Sequence, residues 1–356
     1  MSEQTESAEF ISAAFRAWRN AGVNFLVLRN YEQLPASTSN DIDVLLQPRD
    51  LKRAEAILSQ AAVQNGFRLH NRAEFAPVAL YYSSLDSNAQ VHFDLFTCLA
   101  WRGLEFADAA LFLSRKRELE LFPVPHPADE AVCNLLSFLL YAGRVKEKYK
   151  DLIAGNFRTH RDEALACLRP VCGSGLARFI VAAGAREDWE EIERIAGRLR
   201  RALAFRQLTR HPLRTTGFLL RDAVRLTRRF ARPPGMLVAL CGPDGCGKST
   251  AAVSIIDGLR VSYSPEKHAH YHWKPPLFSV ARRAARPAPA DPHAEEPRNA
   301  VLSLLYFGFH WLEFVLGYWL RVRPIAFRGG LVLIDRYFYD FLVDQRRYRC
   351  GHRIPG

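Results

Sequence analysis

Residues 241–250, CGPDGCGKST, follow the apolar run Met236–Leu240 and precede a segment in which Ala252, Ile255, Ile256 and Leu259 recur at helical spacing. A glycine-rich turn between a strand and a helix constrains its surroundings strongly: it predicts a parallel sheet with crossover helices and the turn at a strand end. Gly242, Gly247, Lys248 and Ser249 fill the pattern G-x-x-x-x-G-K-[ST] completely. The glycines, Gly245 included, let backbone N–H groups curl around an anion with no Cβ in the way. Lys248 then reaches the terminal phosphates of a nucleotide, Ser249 offers a hydroxyl to Mg²⁺, and Thr250 follows in the first helical turn. The helix N-terminus adds its own attraction for phosphate.

A second piece lies downstream. In GGLVLIDRYFYDF an apolar strand, Leu331 to Ile334, runs directly into Asp335. Ligands gather at the carboxyl ends of parallel strands, so Asp335 is a candidate for holding Mg²⁺ through water and Arg336 for clamping a phosphate. With Asp244 at the third loop position and DRY at 335–337, this region resembles the thymidylate kinase branch of the P-loop nucleoside monophosphate kinases. The resemblance implies ATP donating its γ-phosphoryl to a nucleoside monophosphate or related phosphate ester. Asp244 would then contact the acceptor, Lys248 the ATP phosphates, Ser249 and Asp335 the Mg²⁺, and Arg336 the acceptor phosphate. Such kinases carry a lid and an adenine pocket beyond this point. The sequence runs only to Gly356, so a rear domain incomplete at its carboxyl end is expected. Residues 275–298 hold six prolines and read as a mobile insertion. His268, His270 and His272 alternate, and Lys274, Arg282 and Arg283 are candidates for acceptor-phosphate contacts.

The amino-terminal part carries a different signal. SNDIDVLL places Asp41 and Asp43 two apart at a strand start, with their carboxylates facing one way, and VHFDLF offers Asp94 on another strand. Three convergent carboxylates can hold two Mg²⁺ ions for in-line attack on a nucleoside triphosphate. Over roughly residues 8–125 this resembles the nucleotidyltransferase fold of the polymerase-β type. LRNYEQLP…DIDVLL also resembles the front domain of fused proteins with a kinase-like rear half. The Gly-Ser pair that cradles the triphosphate in that family is replaced by Ser37-Thr38-Ser39-Asn40.

The chain of 356 residues is long enough for more than one domain. The reading is α/β: a nucleotidyltransferase-like α+β domain over 1–125, a helical domain and basic linker over 126–232, and a parallel-sheet P-loop domain over 236–356. Further strands are expected at Phe25–Leu28, Val78–Tyr82 and Val91–Phe96, and Pro233-Pro234-Gly235 marks a boundary. The net charge of +12 suits acidic ligands but does not choose among nucleotide, nucleic acid and anionic lipid. No firm nucleic-acid signal accompanies it. Residues 198–232, basic with apolar residues at helical spacing, are a candidate contact for an acidic surface or membrane. Val301–Leu320 is nearly long and apolar enough to span a bilayer, yet His310 and Glu313 would sit mid-span, so a buried or surface-docked helix is expected. Seven cysteines without a CxxC pair, and no charged-then-apolar leader at Met1, fit a reduced cytoplasmic protein with Cys98, Cys133 and Cys167 as ordinary buried thiols.

The sequence thus predicts Mg²⁺- and ATP-dependent phosphoryl transfer to a small phosphate-bearing acceptor. A second reading places nucleotidyl transfer at Asp41, Asp43 and Asp94. A third is a nucleotide-sensing docking protein without catalysis. The oligomeric state is not set by any of these.

Overall fold

A computed structural model of the protein describes residues 3–37, 41–242, 245–259, 263, 268–271 and 299–336. The chain opens with α1 (Glu3–Asn20), β1 (Phe25–Val27), β2 (Ile42–Leu46), α2 (Leu51–Gln64), β3 (Phe67–Glu74), β4 (Val78–Ser84) and β5 (Gln90–Phe96). Two small ribbons, β6 (Leu99–Trp101) with β7 (Leu104–Ala107) and β8 (Arg117–Glu118) with β9 (Pro123–Val124), flank α3 (Ala109–Ser114). Helices follow without interruption: α4 (Pro127–Tyr141), α5 (Lys150–Thr159), α6 (Arg161–Cys172), α7 (Ser174–Ala185), α8 (Trp189–Arg194), α9 (Ala196–Arg210) and α10 (Pro212–Ala231). The last stretch holds β10 (Met236–Leu240), α11 (Lys248–Gly258), β11 (His268–Tyr271), α12 (Ala300–Gly317), α13 (Arg323–Phe327) and β12 (Leu331–Asp335), with a π turn over Tyr318–Val322 joining α12 to α13. The chain is mixed α/β, and it divides into two compact units, Met1–Thr227 and Arg228–Gly356.

The first unit is built on a five-stranded mixed sheet in the order β1-β2-β5-β4-β3. β2 and β5 run parallel, and the other neighbours are antiparallel. Strand alternation decides which side chains go where. Phe25, Val27, Ile42, Val44, Leu46, Phe93 and Leu95 face α1 and α2 and pack with Phe10, Phe15 and Trp18. Leu26, Leu28 and Leu45 turn to the other face, into a second core shared with α4 to α9. β2 is therefore buried on both sides, which explains its unbroken apolar run apart from Asp43. Trp18 is fully buried and donates its indole N–H to the Ala54 carbonyl at 2.9 Å, tying α1 to α2.

The second unit has a parallel three-stranded sheet, β10-β12-β11. β12 is central and buried along its whole length. Leu331 and Leu333 pack on Ile255 and Ile256 of α11 and on Leu259 just past it, and Val332 and Ile334 pack on Val322 and Ile325.

β1, β2, β4 and β5 lie where the apolar pattern places them. β3 was not anticipated, because FRLHNRAE carries little apolar alternation and is held by its pairing to β4. Phe10 lies at the centre of the first core, stacked on Phe67 at 4.8 Å and edge-on to Tyr82 and Phe93. Phe10→Ala is expected to destabilise the first unit by about 3–5 kcal/mol, read as a lower urea midpoint by circular dichroism. A midpoint within error of the parent would contradict this packing.

Candidate functional site

Because β2 and β5 are parallel and in register, Asp43 lies directly beside Asp94. Both alternate away from the α1/α2 face, and Asp41 precedes β2 by one residue on the same side. The sheet thus brings the three candidate carboxylates to one region. Asp43 is almost fully buried, Asp94 is largely so, and Asp41 is open to solvent.

Two cations already stand among them. Arg29, just past β1, donates its Nε–H to Asp43 Oδ2 at 2.6 Å and lies 5.4 Å from the ring centroid of Phe138 on α4. Burial, reinforced by Asp94 and Asp41, holds the Asp43 carboxyl above its ordinary value in spite of Arg29; the guanidinium in turn is pushed up by Asp43. Arginine keeps its proton, so this contact is an ion pair. His92 on β5 places one ring nitrogen 3.5 Å from Asp41 Oδ1 and the other 3.0 Å from Asp94 Oδ1. Burial lowers its pKa, but the bonds to the two carboxylates outweigh burial and raise it to about 9, making it an imidazolium at neutral pH. The same contact pulls Asp41 below the usual carboxylate range.

The donor set therefore suits a hard divalent cation in kind, being carboxylate oxygen only. In spacing it is held apart by His92. Among the described residues, only His126, His160 and Glu163 gather three potential ligand atoms within 4.8 Å of one another. That cluster has a resident cation, since Arg115 Nη2 donates to His126 Nδ1 at 3.2 Å and lies 3.5 Å from Asp129.

A cleft of about 310 Å³ opens beside Asp41, lined also by Asn30, Glu130, Lys148 and Tyr149. Asn30 sits in the left-handed region at φ 55°, and its Oδ1 accepts from Lys148 Nζ at 3.0 Å and from Tyr149 Oη at 2.8 Å. On the opposite wall Tyr31 Oη donates to Glu130 Oε2 at 2.9 Å. Burial holds the Glu130 carboxyl up at about 7, against the pull of that hydroxyl. Arg29, His92, Glu130 and Lys148 were not singled out from the sequence. His92 lies two residues before Asp94 on β5 and Arg29 just past β1, the strand paired with β2, which is the one signal that could have found them. Glu130 and Lys148 come from the helical segment, and only the fold brings them to the cleft.

In the second unit the loop keeps its predicted frame of strand before and helix after. Gly247 caps α11 in the left-handed region at φ 84°, and a Cβ on Gly242 would lie 2.8 Å from Cys246 Sγ. Gly245 lies in the turn. Lys248 Nζ donates to the Gly242 carbonyl at 2.9 Å, while Ser249 and Thr250 are exposed on the first turn of α11. Asp335 pairs in register with Leu240, so the carboxylate and the loop leave the same edge of the sheet. Arg336 follows at φ 70°, its N–H bonded to the Leu240 carbonyl at 3.0 Å. Asp244, Lys274, Arg282, Arg283, His272 and residues 38–40 lie outside the described residues.

No family pattern and no characterised relative matches this sequence. Among solved structures, JHP933 from Helicobacter pylori overlaps 64% of this chain and 98% of its own, at 11% identity and a TM-score of 0.28. A second H. pylori protein, provisionally assigned as a nucleotidyltransferase, overlaps 57% of this chain and 98% of its own, at 13% identity and a TM-score of 0.26. Overlap at these scores carries no argument about fold or chemistry.

The buried Glu130 carboxyl has a pH signature. Its folded pKa is raised above the ordinary 4.5, so it adds no penalty below that value and costs stability progressively as pH rises through about 7. Glu130→Gln keeps an acceptor for Tyr31 and removes the charge. It is expected to stabilise the unit by up to ~3 kcal/mol at about pH 8 and hardly at all at about pH 4, measured by thermal unfolding. Equal shifts at both pH values would contradict the assignment.

Proposed function

We propose that the amino-terminal unit is a metal-dependent nucleotidyltransferase that moves a nucleotidyl group from a nucleoside triphosphate to a small acceptor hydroxyl. The observation that carries this reading is the side-by-side register of Asp43 and Asp94 on parallel β2 and β5, with Asp41 on the same face at the mouth of the cleft. Asp41, Asp43 and Asp94 would hold Mg²⁺, which when bound neutralises the triphosphate and the departing pyrophosphate. Arg29 opposes the effect of burial on Asp43 and holds its carboxyl aimed through a 2.6 Å contact. Lys148 and Tyr149, fixed through Asn30, line the wall where a phosphate tail would lie. Glu130 takes the proton from the acceptor hydroxyl at Oε1 or Oε2. The freed oxygen attacks the α-phosphorus, the bond from that phosphorus to the bridging oxygen breaks, and pyrophosphate leaves with the electron pair.

This favours the front site over the kinase reading drawn from the sequence, because Asp41 and the proton acceptor Glu130 line one cleft and Asp43 and Asp94 follow Asp41 on the same face of the sheet. The kinase reading keeps one specific observation: Asp335 and the loop at 242–250 share a sheet edge, as Mg²⁺-ATP and phosphoryl transfer to a phosphate-bearing acceptor would require.

The products separate the two. Pyrophosphate release from nucleoside triphosphates with Mg²⁺ is expected, and Asp94→Asn should reduce it by roughly a hundredfold or more. Asp94 is the better probe because replacing Asp43 would strand Arg29, at a cost of about 3–5 kcal/mol in stability. Lys248→Ala should leave pyrophosphate release intact while weakening ATP binding at the rear loop and removing any ADP production. Undiminished pyrophosphate release by Asp94→Asn, or ADP as the sole product, would overturn the nucleotidyl-transfer reading.

A further inference from the structure

We infer that α10 is an interfacial helix that docks the protein on an anionic lipid bilayer, lying in the plane between headgroups and acyl chains. At helical spacing its residues sort by chemistry. Arg214, Arg221, Arg225, Arg228 and Arg229 share one side, and Leu213, Leu220, Val224, Leu226 and Phe230 share the other. Arg214 pairs with Glu105, Arg225 with Asp222, and Arg229 donates to the Phe327 carbonyl, so Arg221 and Arg228 are the arginines directed to a lipid phosphate. In a helix serving a soluble core the apolar side would be covered. Here Leu213 is 89% exposed, Leu220 64% and Phe230 54%, and Thr215 is the one buried residue in α10. The surrounding charge is one-sided: residues 196–232 hold eleven arginines and a single acid, Asp222.

Charge and apolarity together select the occupant. A nucleic acid would engage the arginines and leave the leucine stripe in water. A second copy of the chain packed on that stripe would meet the same cationic rim, like against like. An anionic bilayer covers both, with the apolar side among the acyl chains and the guanidinium groups at the phosphate level, their stems extended along the interface.

The carboxyl-terminal unit carries an independent sign of the same environment. The helix from Val301 to Phe327 is long and apolar enough to cross a membrane, yet only 28% of its most apolar stretch is buried. Polar and apolar residues share its buried side: Ser303, His310 and Glu313 are buried with Phe314, Val322 and Ala326, whereas Val301, Leu304, Leu305, Trp311 and Leu320 are exposed. Apolar surface of this extent on a soluble chain marks an interaction face.

Co-sedimentation of the full chain with vesicles tests the assignment. Binding is expected to vesicles of equimolar phosphatidylcholine and phosphatidylglycerol and not to phosphatidylcholine alone, with loss at high salt. Arg221→Gln/Arg228→Gln should weaken it by roughly tenfold or more. Leu220→Glu/Val224→Glu should abolish it. Leu213→Glu, at a position so exposed that folding is not at stake, should weaken it by roughly tenfold. Circular dichroism confirms that each variant is folded. No binding to the anionic vesicles would overturn the proposal. So would binding that survives the glutamate substitutions, which would mean simple anion attraction of the kind nucleic acid exploits. A dimer that Leu220→Glu/Val224→Glu dissolves, without vesicle binding by the parent, would assign the face to a second copy instead.

Discussion

The Arg29–Asp43 ion pair is the constraint around which the amino-terminal unit is organised. Its side chains are 19% and 5% exposed, and it sits where β1, β2 and α4 meet, with Phe138 under the guanidinium. Burying two charges is unfavourable unless geometry and additional contacts compensate, and losing either partner would leave the other stranded. The pair therefore fixes the register of the sheet edge against the helices that follow. It also explains how β2, otherwise apolar on both faces, can carry a buried carboxylate. His92 repeats the device one strand away, between Asp41 and Asp94. The acidic face is thus assembled with its countercharges in place, before any ligand arrives. An incoming divalent cation would compete with His92 for Asp41 and Asp94, which links its affinity to pH.

The two candidate sites are built by different physical means. The first uses carboxylates whose repulsion is offset by Arg29 and His92. The second uses backbone: Gly247 in the left-handed region turns the chain into α11, and the loop curls with Lys248 folded back on the Gly242 carbonyl. A cradle of this kind is local, requiring only β10, α11 and the adjacent β12. The first site is the opposite. Its residues come from the end of β1, from β2 and β5, and from two helical segments further along the chain.

That difference explains what was legible in the sequence. The loop at 242–250 announces its strand and helix because each residue does a job that only its neighbours complete, and Asp335 is found by the apolar run before it. Asp41, Asp43 and Asp94 are visible as acids interrupting apolar strands. Their register is not, because nothing in either strand says that β2 and β5 are parallel neighbours. Glu130 and Tyr31 are ninety-nine positions apart and meet only through the packing of α4 against the sheet. β3 is polar enough to pass for a loop, and its strand conformation comes from β4. The stretch at 301–320 was expected as a buried or docked helix. Val301, Leu304, Leu305 and Trp311 are exposed and Phe314 is buried, a division that periodicity alone does not show, since a stripe in the sequence does not say which way it faces.

Divalent-cation uptake tests the central claim most directly. Mn²⁺ is a spectroscopic substitute for a hard oxygen-bound cation. Titrating it by electron paramagnetic resonance, without nucleotide, into the Ser249→Ala/Asp335→Asn chain removes the candidate rear ligands and leaves the front carboxylates as the site under observation. The account predicts saturable binding that tightens as pH rises through about 9 and His92 is released, and that disappears when Asp41 and Asp94 are both replaced by Asn. Identical Mn²⁺ uptake with and without those two carboxylates would contradict it.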